Sequence, residues 1–209
     1  MDMKRVFNIA VLVVAVFAAA LALSCSNETD TTLNSQQNSI QKYLTGSHIP
    51  KLIHESDIPN SLDNNPEFYT SWGLDISRYI STYYDEGRDQ RTVVEIGDKL
   101  SITYSAYIFT GSKPTTSSLF ATNDPDEISS LEALGLNPEY GWPTGPVEIT
   151  IGSADLLESL DVALEGCREG DKVEVYLTFE AGYGNKYFGV VPAKSALAWF
   201  ITIESVTKK

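Results

Sequence analysis

Four stretches of the chain alternate apolar and polar positions with the period of a half-buried strand. The first carries Leu100, Ile102, Tyr104, Ala106 and Ile108 with mostly polar neighbours, after a turn at Ile96-Gly97-Asp98. Val147, Ile149 and Ile151 repeat the alternation before Gly152, and Val173, Val175, Leu177 and Phe179 do so opposite Lys172, Glu174, Tyr176 and Thr178. Leu197, Trp199, Ile201 and Ile203 form the last. A fifth segment is ambiguous by period: Ile76, Tyr79, Ile80 and Tyr83 fall at helical spacing,. Its β-branched and aromatic residues, its closure at Asp85-Glu86-Gly87 and the strands that follow favour a strand,.

One segment reads as a helix: Leu156, Leu157, Leu160, Ala163 and Leu164 make an apolar stripe, with Asp155 as the expected cap and Gly166 as the stop,. A shorter helix is expected at Ser39–Leu44, with Ile40, Tyr43 and Leu44 on its apolar face and Gly46 ending it,. Between His48 and Phe68 the residues Pro50, Pro59 and Pro66 argue for irregular structure laid over a core,. Five short strands and one helix in the folded body predict an α+β domain, an antiparallel sheet over one short helix with an N-terminal extension.

The first residues change the picture of where this domain works. Lys4 and Arg5 precede an almost wholly apolar run from Val6 to Leu23, which closes on Ala22-Leu23-Ser24-Cys25, the layout of a bacterial export signal over residues 1–24,. The stretch ending at Cys25 resembles a lipobox, although Ala22 stands where that pattern usually has Leu. The resemblance implies lipidation of Cys25 and a membrane-anchored lipoprotein of the cell envelope, facing the periplasm or the outside. Residues 25–38, poor in apolar side chains and free of aromatics, read as a flexible tether, and 39–72 as the N-terminal extension.

Charge and chemistry then exclude several function classes. Of 15 basic and 28 acidic side chains, Lys4, Arg5 and Asp2 leave with the signal, so 13 face 27, a net charge of −14. Such a surface repels phosphate backbones, so no nucleic-acid partner is expected. Only Cys167 accompanies Cys25, which excludes a disulfide framework, and Cys167 is expected to be a small buried hydrophobe,. His48 and His54 are the only histidines. No metal site, no cofactor and no Ser-His-Asp hydrolase is expected; Asp124, Asp126 and Glu127 read as a solvated loop.

The ordered set Ile151-Gly152, Leu156-Leu157, Leu164 through Val173, Ala181-Gly182-Tyr183-Gly184 and Gly189-Val190-Val191-Pro192-Ala193 resembles the FKBP-type peptidyl-prolyl cis-trans isomerases. Upstream, Gly97-Asp98 with Ile102-Thr103-Tyr104 is similar to the family's second strand, and Gly73-Leu74 with Glu86-Gly87 to its first. The resemblance assigns an FKBP-like domain to 73–209, with an insertion at 119–145. It implies a twisted sheet wrapped on one helix, with an apolar pocket between them lined by Tyr104, Val147, Leu156, Leu157, Leu160, Tyr183, Val191 and Trp199. The Tyr183 hydroxyl and the Leu157 N–H take the places of the two donors to a ligand carbonyl, and Trp199 that of a wall-forming Phe. Tyr183, Trp199, Tyr104 and Leu160 are thus the implied catalytic set, with Val147, Leu156, Leu157 and Val191 binding substrate.

Two departures stand out. Leu160 occupies the pocket floor where the family usually has Trp. The family's aromatic-plus-Asp pair follows the hairpin of the second strand, and the matching stretch here, Lys113 through Ser118, lacks the Asp. The insertion is expected to cover a rim of the pocket through Leu131, Leu134, Leu136 or Trp142. The resemblance implies an isomerase or isomerase-chaperone acting on proline-containing polypeptides exported from the cell, weaker than a member with the full motif. The alternatives are a non-catalytic FKBP-like binding module and a carbohydrate-binding lipoprotein using Tyr140 and Trp142.

Overall fold

A computed structural model describes residues 31–59, 65–135 and 142–209. The chain divides into two units, 1–35 and 36–209. In the first, the described residues 31–35 are helical. The signal at 1–24 and Cys25 lie outside the described residues. Among those described, no helix is long and apolar enough to cross a membrane.

Among its described residues the second unit has eight strands: β1 (Ile53–His54), β2 (Phe68–Trp72), β3 (Ile76–Ile80), β4 (Lys99–Ile108), β5 (Leu119–Thr122), β6 (Val147–Thr150), β7 (Lys172–Leu177) and β8 (Leu197–Thr207). Their order is β1-β2-β3-β7-β8-β4-β5, with β6 also on β4. All neighbours are antiparallel except β1 and β2. Of the five strands expected, β4, β6, β7 and β8 were read from alternation and β3 from its β-branched and aromatic residues. The other three, of two to five residues, were not anticipated, and β1 and β2 lie upstream of the expected domain start at Gly73.

Among its described residues three helical segments accompany the sheet: 36–42 (α1), Pro125–Ala133 (α2) and Glu158–Leu164 (α3). α3 is the expected short helix on the sheet, α1 overlaps the one expected at Ser39–Leu44, and α2, within the insertion, was not anticipated. Residues 31–38, expected in the flexible tether, are helical, and the helix continues through a π-turn at Tyr43–Ser47 in place of starting at Ser39. Gln36 explains part of this order: its side chain accepts from the Phe179 N–H at 2.8 Å and donates to the Lys194 carbonyl at 2.8 Å.

The cap of α3 also differs from expectation. Its N-cap is Leu157, and Asp155 instead accepts from the Thr150 N–H at 2.7 Å, closing the turn after β6. Asp124, expected in a solvated loop, caps α2 by accepting from the Asp126 N–H at 2.9 Å, and Pro125 follows where a missing N–H costs nothing,.

Both faces of the sheet are covered. On one, α3 contributes Leu160, Ala163 and Leu164 to a core with Leu100, Ile102, Val173, Val175, Leu177, Leu197, Trp199 and Ile201. On the other, Ile40, Tyr43, Leu44 and Leu52 from the N-terminal extension cover Tyr69, Tyr79, Phe109, Tyr176 and Ala198. Tyr176 and Thr178, read as polar-face positions, are therefore buried. Aliphatic residues buried in this second layer contribute about 1.5–3 kcal/mol each, so the extension is a structural layer of the fold.

Candidate functional site

Strand β4 runs through the centre of the site. One of its edges pairs along its length with β8; the other takes β6 over Lys99–Ile102 and β5 over Ser105–Tyr107. The gap between β6 and β5 is closed by a side chain. Asn123 is fully buried; its Oδ1 accepts from the Tyr104 N–H at 2.6 Å, and its Nδ2 donates to the Ile102 and Gly145 carbonyls at 2.9 and 3.0 Å. Its backbone N–H donates to the Tyr104 carbonyl, and its own carbonyl accepts from the Gly145 N–H. Asn123 thus substitutes for a missing stretch of strand, fixing Tyr104 and tying the start of the insertion to its end at Gly145.

The eight side chains that the resemblance assigned to a pocket all belong to the α3-side core or pack against it. Leu160, Val191 and Trp199 are buried in the α3-side core, and Tyr104, Val147, Leu156, Leu157 and Tyr183 pack against it partly exposed. The start of α3 is tied to the Tyr183 loop by the Ser159 hydroxyl, which donates to the Ala181 carbonyl at 2.6 Å. Tyr104 lies tilted on Trp199 with ring centroids 5.3 Å apart.

The ring that sequence reading missed is Phe120. On β5, it meets Trp199 edge-on at 5.8 Å and Tyr183 at 6.2 Å. The stretch Lys113 through Ser118 ends in a 3-10 turn, Thr116–Ser118, and the strand carrying Phe120 begins directly after it. Phe120 thus brings an aromatic ring to Trp199 and Tyr183 just after the stretch Lys113 through Ser118, and Ala121, not an acid, follows it. The short apolar run Leu119-Phe120-Ala121 was the available signal for a strand here.

The insertion reaches this cluster through Phe120, a residue not among those expected to do so. Leu134 is 78% exposed, Leu131 is half-buried on α2, and Leu136 lies outside the described residues. Tyr140, half of the expected sugar-stacking pair, also lies outside them, and Trp142 is half-buried.

The polar groups of the site are donors. Burial, with a smaller contribution from Tyr104, pushes the Tyr183 hydroxyl up to about 12, and burial raises Tyr104 as well, so both keep their protons at neutral pH,. Among the described residues neither the Tyr183 hydroxyl nor the Leu157 N–H has a hydrogen-bond partner. The Trp199 indole N–H is also buried without one among them. Beside them a tight hairpin, closed by Phe188 and Val191 exchanging backbone bonds at 3.0 and 2.8 Å, stacks Phe188 on Tyr183 at 4.1 Å and leaves Tyr187 and Val190 exposed. Cys167 is buried in the α3-side core, where burial pushes its thiol up to about 11,. No group of three metal-ligating side chains occurs among the described residues.

The chain is similar to known proteins over part of its length. Residues 139–204 match the family model described as FKBP-type peptidyl-prolyl cis-trans isomerase, a span that holds α3, Tyr183, Val191 and Trp199. No curated protein sequence matches the chain. Among solved structures, the three FKBP domains of wheat FKBP73 align at 15% identity with a TM-score of 0.49. That alignment covers 68% of this chain and 52% of the wheat chain, so the chain spans about half the length of that structure.

Proposed function

We propose that the chain is a peptidyl-prolyl cis-trans isomerase of the cell envelope, anchored through acylated Cys25 and acting on exported polypeptides. The observation that carries the activity is the pairing of an aromatic and aliphatic cluster with two unengaged donors, the Leu157 N–H and the Tyr183 hydroxyl, at its border. The family match over 139–204 supports the same reading.

Rotation about an Xaa-Pro bond faces a barrier of about 18–20 kcal/mol set by the partial double bond. No proton transfer or covalent intermediate is required. Apolar walls formed by Tyr104, Phe120, Val191 and Trp199 hold the proline ring and exclude the water that stabilises the planar, charge-separated amide. The two donors hold flanking carbonyls while the bond twists. Leu160 supplies a smaller floor than an indole, and Ala121 offers no carboxylate, so turnover is modest.

The test is the cis-to-trans rate of short Xaa-Pro peptides with and without protein. Acceleration that falls in Tyr183→Phe supports the reading; an unchanged rate with folded protein favours binding without turnover, to which Leu160 and Ala121 also point. Anchoring has a separate test: Cys25→Ser releases the protein from membranes, and unchanged fractionation contradicts the anchor.

A further inference from the structure

Toward the β1 end of the sheet, away from Trp199, a cleft of about 120 Å³ is lined by Glu55, Glu67, Phe68, Arg78, Tyr83 and Tyr84. Its three rings form a corner. Phe68 meets Tyr83 edge-on at 4.8 Å, Tyr83 meets Tyr84 at 5.1 Å, and Phe68 lies 6.5 Å from Tyr84. Tyr83 already carries one cation, the Arg88 guanidinium 4.6 Å from its centroid.

Neither glutamate forms an ion pair among the described residues. Glu55 accepts from the Thr70 hydroxyl at 3.0 Å and Glu67 from the Tyr79 hydroxyl at 3.0 Å, both neutral donors. Arg78 also lines the cleft, so the two carboxylates outnumber its one cation there; its guanidinium is held by other partners, its Nη1 donating to the Ala163 and Glu165 carbonyls at the end of α3 and the group lying 4.8 Å over Trp72.

We propose that this cleft binds a cationic side chain, lysine or arginine, of a polypeptide partner. Ring faces attract a cation through their quadrupoles, and two carboxylates in the same cleft supply the charge that a neutral aromatic pocket lacks. The net charge of −13 draws basic segments toward the surface,. The cleft is large enough for one side-chain head and too small for a folded segment.

The experiment is an NMR titration of the full chain with Nα-acetyl-lysine methylamide, with the norleucine counterpart as the uncharged control. Saturable shifts of Phe68, Tyr83 and Tyr84 are expected with lysine only, weakened by salt. Glu55→Gln with Glu67→Gln keeps both acceptors and should weaken binding about tenfold. Equal shifts from norleucine, no saturation, or an unchanged affinity in the double variant with its folded spectrum intact would overturn the proposal.

Discussion

His48 Nε2 lies 3.0 Å from Glu174 Oε2, joining the N-terminal layer to β7 beneath a cover of aromatic rings. Tyr43 and Tyr79 stand edge-on to the imidazole at 5.5 and 5.2 Å, its Nδ1 faces the Pro50 carbonyl at 2.5 Å, and Glu174 also accepts from the Tyr176 hydroxyl. Burial pushes the imidazole down, but Glu174, Pro50 and Glu67 together outweigh it and hold its pKa above 6.5.

A raised histidine stabilises the fold fully below its unfolded value and loses that contribution as pH rises through the folded one. The stability difference between wild type and His48→Gln should therefore be largest below pH 6.5 and shrink above it. Denaturant midpoints across this range check the expectation, and a difference independent of pH would contradict it.

Asn123 provides a second test. Asn123→Ala leaves the Tyr104 N–H and the Ile102 and Gly145 carbonyls without their side-chain partner, and each buried group so stranded costs about 1–3 kcal/mol,. A clear fall in the unfolding midpoint is expected. A midpoint within the scatter of surface substitutions would show that the gap between β6 and β5 does not depend on this side chain.

Trp199 separates packing from polarity. Trp199→Phe removes a buried N–H that has no partner while keeping a ring against Tyr104 and Phe120, so its stability cost should be far below the about 3–5 kcal/mol of truncating a buried aromatic to Ala,. Equal losses in Trp199→Phe and Trp199→Ala, measured by chemical unfolding, would refute the idea that the ring and not its N–H holds this site together.

The central strands were legible because alternation along β4, β7 and β8 reports burial directly, whereas the site residues were assigned by resemblance and by no period. Of the second layer the sequence showed an apolar helix face at Ile40, Tyr43 and Leu44 but not the surface it covers. Tyr176 and Thr178 looked like a solvent face because nothing in their own strand announces that Ile40, Tyr43 and Leu44 cover it. Phe120 was missed for a related reason: its strand opens with three apolar residues in a row, Leu119, Phe120 and Ala121, which show no alternation, and its partner Trp199 lies far along the chain. The cap at Asp155 failed because an acid ahead of a leucine run can close the preceding turn as readily as open the helix,.

Isomerase activity stands or falls on exchange spectroscopy of an Xaa-Pro peptide with catalytic amounts of the folded chain, for wild type and Leu160→Trp. Cis–trans exchange faster than in the peptide alone, reduced modestly by Tyr183→Phe and increased by Leu160→Trp, is the predicted result. Exchange at the uncatalysed rate with both wild type and Leu160→Trp would contradict it.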